Sequence, residues 1–242
     1  MDRVCGHLDS LVRGRYLLFN NLWGAETGSG EQCLSTEAPD TAEPLAWETS
    51  WRWDGDSNTV KSYVAAVVGW HFGWPAPAWE LPVALSSLAA LPSRWDYDLE
   101  ASAASRLNVA YDIWLARTPE APPQDITDEV MIWLHRAGDP TPIGRPTRAV
   151  EVEGARWQLW EGPHPSRAWT VHSFVRSGSA RDAATRLDLR RFFDPISDIT
   201  PEAHYLAGVQ AGAEIFTGTG TLRTTAYSLE VIPVVPPVDT SG

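Results

Sequence analysis

Three carboxylates sit in strand-like runs where a strand gains nothing from charge. Glu129 opens EVMIWL (129–134). Side chains alternate every two residues along a strand, so Glu129, Met131 and Trp133 share one face and Val130, Ile132 and Leu134 the other. The aliphatic face is the core candidate, which leaves Glu129 on a lined, partly dry surface. Glu214 stands likewise in VQAGAEIFTG, on a face with Gly212 and Phe216 and opposite the small Ala211 and Ala213. Asp112, in LNVAYDIWL, shares parity with Asn108, Ala110 and Trp114, opposite Val109, Tyr111, Ile113 and Leu115. Two carboxyls on concave sheet faces beside aromatics suit glycoside hydrolysis. One serves as a general acid of raised pKa, and the other attacks or activates water. An Asp against a second carboxylate shares its proton or holds its geometry. Each of the three also fits a carboxylate facing solvent. The pair is too far apart in the chain for spacing alone to join Glu129 to Glu214.

The elements that must position them are short and alternating. Strand-like runs are 15–20, 47–53, 107–115, 129–134, 149–152, 156–160, 169–175, 209–216 and 222–231. Turn clusters GAETGSGEQ, RWDGDSN, GDPTPIGRP and TGTG separate them. Many short strands at such spacing read as an antiparallel sandwich or barrel. One short helix is expected at Asp188–Phe193, ending before Pro195. Segments 36–46 and 117–125 are acidic, Pro-rich loops. The expected domain is 1–231, with a Pro-rich tail, 232–242, starting a linker.

The chain has 242 residues and a formal net charge of −12. That balance argues against nucleic acid and against an anionic membrane surface as partners. No apolar run reaches the roughly 18 residues of a membrane helix. The longest, Val64 to Trp74, is interrupted by a His and two Gly. The N-terminus MDRVCGHLDSLVRGRY has no apolar signal-peptide stretch, and a mature secreted domain with a substituted Met reads the same way. Cys5 and Cys33 fit either two thiols of a cytosolic protein or one disulfide. Their even count, with one near the terminus, favours the disulfide and an oxidising compartment. Two distant Cys and six scattered His make no zinc set, and neither metal nor organic cofactor is expected. Thirteen Trp in an acidic protein hint at saccharide stacking, although most are assigned to core or rim. Trp23, which follows Asn20 and Asn21, is the ligand platform candidate.

The blocks NNLWGAETGSGEQC (20–33), WRWDGDSNTVKSY (51–63), NVAYDIWLA (108–116), EVMIWL (129–134), PIG (142–144), SFV (173–175) and VQAGAEIFTGTGTL (209–222) resemble, in order, those of glycoside hydrolase family 12, a family of endo-β-1,4-glucanases and xyloglucanases. GWHFGW (69–74) resembles its bacterial branches. The resemblance implies a β-jelly roll of two stacked antiparallel sheets with a concave substrate cleft. It implies Glu129 as nucleophile, Glu214 as acid/base, and Asp112 as hydrogen-bond partner of the nucleophile. It implies Asn21 and Trp23 in the non-reducing-side subsites, Met131 beneath the sugar at the cleavage point, and a Cys5–Cys33 disulfide. Lys61, Trp133 and Pro142 complete the expected substrate-binding set. Val64 after KSY and Ala213 before Glu214 depart from the family pattern, which bears on the cleft wall and on substrate preference.

The expectation is a retaining endo-β-1,4-glucanase: monomeric, secreted, and acting on β-glucan polysaccharide. A xyloglucan-specific enzyme of the same family is the nearest alternative. A non-catalytic carbohydrate-binding sandwich needs no inward Glu pair. A related jelly-roll xylanase would lack the NNLWG and EVMIW blocks. A cytosolic Trp-rich protein would have free thiols.

Overall fold

Period-2 alternation governs most of the chain, and the fold is built almost wholly of strands. The computed structural model describes residues 1–41, 43–72, 80–178, 183–196, 199 and 203–234. The smaller sheet orders β1 (Asp2–Val4), β4 (Gly28–Thr36), β5 (Leu45–Gly55), β16 (Tyr205–Leu229), β9 (Pro92–Ala101) and β15 (Ala183–Asp188). The larger sheet orders β2 (Ser10–Arg13), β3 (Tyr16–Phe19), β6 (Ser62–Gly69), β16 again, β10 (Arg106–Ala116), β11 (Ile126–Ala137), β14 (Thr170–Arg176), β13 (Ala155–Pro163) and β12 (Arg145–Val152). A short β7 (Val83–Ala84) extends it beside the start of β16. β8 (Leu88–Ala90) and β17 (Ile232–Pro233) form a separate pair. Every pairing is antiparallel except β11 with β14, which is parallel.

The long strand β16 departs from the two strands and intervening TGTG turn expected of the sequence. Residues 208–215 pair with β6 and 218–227 with β5, so one 25-residue strand passes from one sheet into the other. Gly218 (φ +104°) lies where an added Cβ would meet Ser105 at 2.4 Å, so the sheet crossing needs a glycine there. β4, which runs through the expected GAETGSGEQ turn, β6, β9 and β15 were not among the expected strands, nor were the short β1, β2, β7, β8 and β17. The expected helix is a single 3₁₀ turn, Leu189–Phe192, whose first turn is capped when the Asp188 carboxylate accepts from Arg190 N–H. No described helix is long and apolar enough to cross a membrane. Of the expected tail, 232–233 still pair with β8, and 235–242 lie outside the described residues.

The sheets pack face to face over Trp47, Trp95, Tyr97, Tyr111 and Tyr227, all within one buried cluster. Trp95 stands at the centre, with ring contacts to each of the other four. The core face of the larger sheet supplies Val109, Tyr111 and Ile113 from β10, Val130 and Ile132 from β11, and Val209 and Ala211 from β16. These are the apolar parities read from the sequence. The opposite parities lie on the other face, where Met131, Trp133 and Ala110 form a cluster of their own.

Cys5 and Cys33 are joined by a disulfide across a separation of 28 residues. It ties the N-terminal segment after β1 to β4. Loop-closure entropy predicts that replacing both Cys by Ser lowers stability by about 3–4 kcal/mol. A urea titration should show the loss as a lower midpoint with catalysis intact in the folded fraction. An unchanged midpoint would remove the disulfide from the account of stability.

Candidate active site

Strands β6, β16, β10, β11 and β14 lie side by side, and their register decides which side chains meet. Glu214 on β16 sits opposite Tyr63 on β6 and Asn108 on β10. Glu129 on β11 sits opposite Trp114 on β10 and Val171 on β14. Asp112 on β10 falls between them, opposite Gln210 and Met131. All three carboxylates are on the face away from the core. Glu129 is 9% exposed and Asp112 6%, and Glu214 is half-buried.

Burial pushes both Glu carboxyls up to about 7. For Glu129 a hydrogen bond from Trp169 pulls the other way, while the charge of Glu214 pushes further up. For Glu214 the opposing pull is Asn108. Asp112 is raised well above the usual range by burial and by the charges of Glu129 and Glu214. The three acids therefore repel one another in a dry site and cannot all ionise together near neutrality.

Each Glu receives one donor. The Trp169 indole N–H donates to Glu129 Oε2 at 2.7 Å. The Asn108 amide Nδ2 donates to Glu214 Oε2, and Asn108 Oδ1 accepts from Glu214 N–H at 3.4 Å. A backbone N–H can only donate, so this contact fixes the amide orientation and turns its NH₂ toward the carboxylate. Tyr63 O–H donates to the Ala110 carbonyl, closing the floor beside Glu214. On the other side of β11, Asp128 is buried between His172 Nε2 (3.0 Å) and His204 Nε2 (3.4 Å). Burial opposes its charge, yet bonds from His172, His204 and Thr127 hold its carboxyl well below the usual range. That cluster clamps β11, β14 and the approach to β16 just behind Glu129.

Other expected residues divide between floor, rim and interior. Met131 and Trp133 are buried in the floor, where Trp133 N–H points at Met131 Sδ (3.5 Å). Trp23 is 54% exposed on the rim, and half-buried Asn21 accepts from Tyr63 N–H through its carbonyl. Lys61 is a correction. It is fully buried, and its ammonium donates to the carbonyls of Asp56 and Thr59 and to Thr59 Oγ1, which uses all three donors. It braces a turn and has nothing left to offer a sugar. Asn20, beside Asn21 in the sequence, is fully buried, and its Nδ2 donates to the Gly6 and Gln32 carbonyls. Pro142 is buried in its loop, next to Ile143, which packs on the cluster that holds Trp114 and Trp169. That loop lies flat on β13, where a Cβ on Gly162 would sit 2.5 Å from Gly144 Cα. The expected Asp112–Glu129 hydrogen bond is not made, and Trp169 takes that place. Val64 and Ala213 both point into the core, so neither departure from the family pattern touches the cleft wall.

Sequence reasoning missed two residues. Asn108 shares the parity of Asp112 in LNVAYDIWL, so alternation alone could have drawn it in. Trp169 could not be found that way, because it lies 40 positions from Glu129 and meets it through the parallel pairing of β11 with β14.

A β-sandwich that carries two raised carboxyls on its open face has the arrangement glycoside hydrolysis needs. The Glycosyl hydrolase family 12 model matches residues 14–232. Xyloglucan-specific endo-beta-1,4-glucanase A of Aspergillus niger is 32% identical over 234 residues, covering 94% of this chain and 90% of that protein. A family 12 xyloglucanase from Bacillus licheniformis in complex with ligand superposes with a TM-score of 0.84, at 27% identity, covering 96% of this chain and 100% of that one. The catalytic domain of Humicola grisea Cel12A with a soaked thio cellotetraose gives 0.82, at 28% identity, covering 96% and 99%. The chain belongs to glycosyl hydrolase family 12, and it is an endo-β-1,4-glucanase acting on glucan polysaccharide.

Proposed function

We propose that this enzyme cleaves internal β-1,4 bonds of cellulose-type β-glucans with retention of configuration. Glu129 attacks the anomeric carbon while protonated Glu214 gives its proton to the departing glycosidic oxygen. The C1–O bond to the leaving sugar breaks as the bond to Glu129 forms. Glu214, now a carboxylate, takes a proton from water, which displaces Glu129 from C1. The observation that carries this reading is the register that sets Glu129 on β11 and Glu214 on β16 on one face, either side of β10 and Asp112, with both carboxyls raised by burial. Retention calls for carboxyl groups about 5–5.5 Å apart. Asn21 and exposed Trp23 bind the non-reducing side, and Met131 and Trp133 floor the cleavage point. The disulfide supports an extracellular site of action.

A second reading, xyloglucan as the preferred polymer, is favoured by the names of the curated relatives. One panel separates the two: carboxymethylcellulose, barley β-glucan, xyloglucan and xylan, with the first-formed anomer read by NMR. Fastest cleavage of barley β-glucan, with the β-anomer appearing first, is expected. Fastest cleavage of xyloglucan moves the preference to the second reading, and an α-anomer first overturns retention.

A further inference from the structure

We propose that Trp169 is a positioning residue for the nucleophile: its indole N–H locks Glu129 Oε2, so that Oε1 is the oxygen presented to the anomeric carbon. This rests on the reading of Glu129 as nucleophile. Oε2 accepts from Trp169 at 2.7 Å, and no hydrogen bond from the described residues engages Oε1. The donor is held rigidly. Trp169 is 6% exposed and its ring meets Trp114 edge-on at 5.2 Å and His164 at 5.0 Å, with Phe72 at 6.0 Å. The Arg167 guanidinium lies over the same ring at 5.9 Å. Ile143, from the loop across β13, packs on the cluster that holds both Trp114 and Trp169.

A neutral donor in this position favours the carboxylate over the acid without adding a counter-charge. Among the described residues, the other ionisable groups facing the site are Asp112 on β10 and Glu214 on β16, both acidic, Tyr63 on β6, whose hydroxyl is committed to Ala110, and His71 after β6, which bonds Gln210 and is held neutral by burial. Across the Trp169 ring lie His164 and Arg167. Among the described residues, no cation bonds Glu129 directly. The indole N–H is therefore the local group that opposes protonation of this carboxylate.

The test uses Trp169→Phe and a 2,4-dinitrophenyl 2-deoxy-2-fluoro-β-cellobioside inactivator. Its leaving group needs no acid, so the pH dependence of inactivation reads the ionisation of Glu129, with the Glu214 charge a background common to both proteins. A hydrogen bond to a charged group is worth enough that its loss should move the midpoint up by about one pH unit. Superimposable profiles for wild type and Trp169→Phe would overturn the proposal. If Phe loosens the cluster too far to fold, benzothienylalanine at 169 keeps the indole shape without the N–H and serves the same comparison. Peptide mapping of the labelled wild type separates the two levels. A label away from Glu129 sinks the proposed mechanism, whereas a label on Glu129 with unshifted midpoints sinks only the role of Trp169.

Discussion

Glu129→Gln should lower the rate on barley β-glucan by at least about four orders of magnitude while raising stability at alkaline pH. The catalytic loss follows from removing the atom that forms the covalent bond, and losses of this size are usual for a nucleophile. The amide oxygen still accepts from Trp169, so the aromatic cluster keeps its partner. The stability gain follows from the sign of the shift. The Glu129 carboxyl is raised to about 7 in the fold, above its ordinary value near 4.5. Between those values the folded state holds a proton that the unfolded state has lost, so wild-type stability falls as pH rises through that window. Above pH 7 the full penalty of a buried, repelled charge is present, of order 1–3 kcal/mol. Gln removes it. Melting of the variant should match wild type near pH 4.5 and exceed it by several degrees at pH 8. Near-normal activity would end the assignment of the nucleophile. Equal melting at pH 8 would show that the carboxyl is better solvated than its burial implies.

The site was legible in the sequence wherever one face of a strand had to be dry. EVMIWL, LNVAYDIWL and VQAGAEIF each carry an unbroken apolar parity, and the carboxylates fall on the other one. Their faces therefore followed from period 2 alone. Two of the elements that escaped lack that contrast, whereas PSRWDYDLEA in β9 alternates strictly and was open to the same reading. SYVAAVVG in β6 is buried at every position, so it shows length without alternation. TGTG reads as a turn because its residues are turn formers, yet here Gly218 and Gly220 let β16 pass close to Ser105 and Trp51 as it changes sheets. Lys61 was misjudged for a related reason. A lone Lys beside a cleft motif suggests a sugar contact, and only the turn geometry around Asp56 and Thr59 shows its donors already used.

The same logic explains why the two catalytic carboxyls are served by different donors. Trp169 reaches Glu129 from the residue just before β14 through a rigid ring. Asn108 holds Glu214 through both the side chain and the backbone, so that carboxyl can exchange a proton without losing its place. A nucleophile must stay anionic and fixed, and an acid/base must change state once in each half of the cycle.

Glu214→Ala tests that second role, and its effect should depend on the leaving group. On barley β-glucan the departing sugar needs a proton, and the rate should fall by about three orders of magnitude. On 2,4-dinitrophenyl cellobioside the first step needs no acid, so the covalent intermediate forms quickly and accumulates, giving a burst of dinitrophenolate followed by slow turnover. Azide, which needs no general base, should restore turnover and release a β-glycosyl azide. The pH profile should change in two linked ways. The wild-type limb at high pH, where Glu214 loses its proton, should vanish. The limb at low pH should move to lower values, because the charge that helps raise Glu129 has gone. Failure of azide rescue together with an intact high-pH limb would transfer the acid/base role to Asp112, the other raised carboxyl on the same floor.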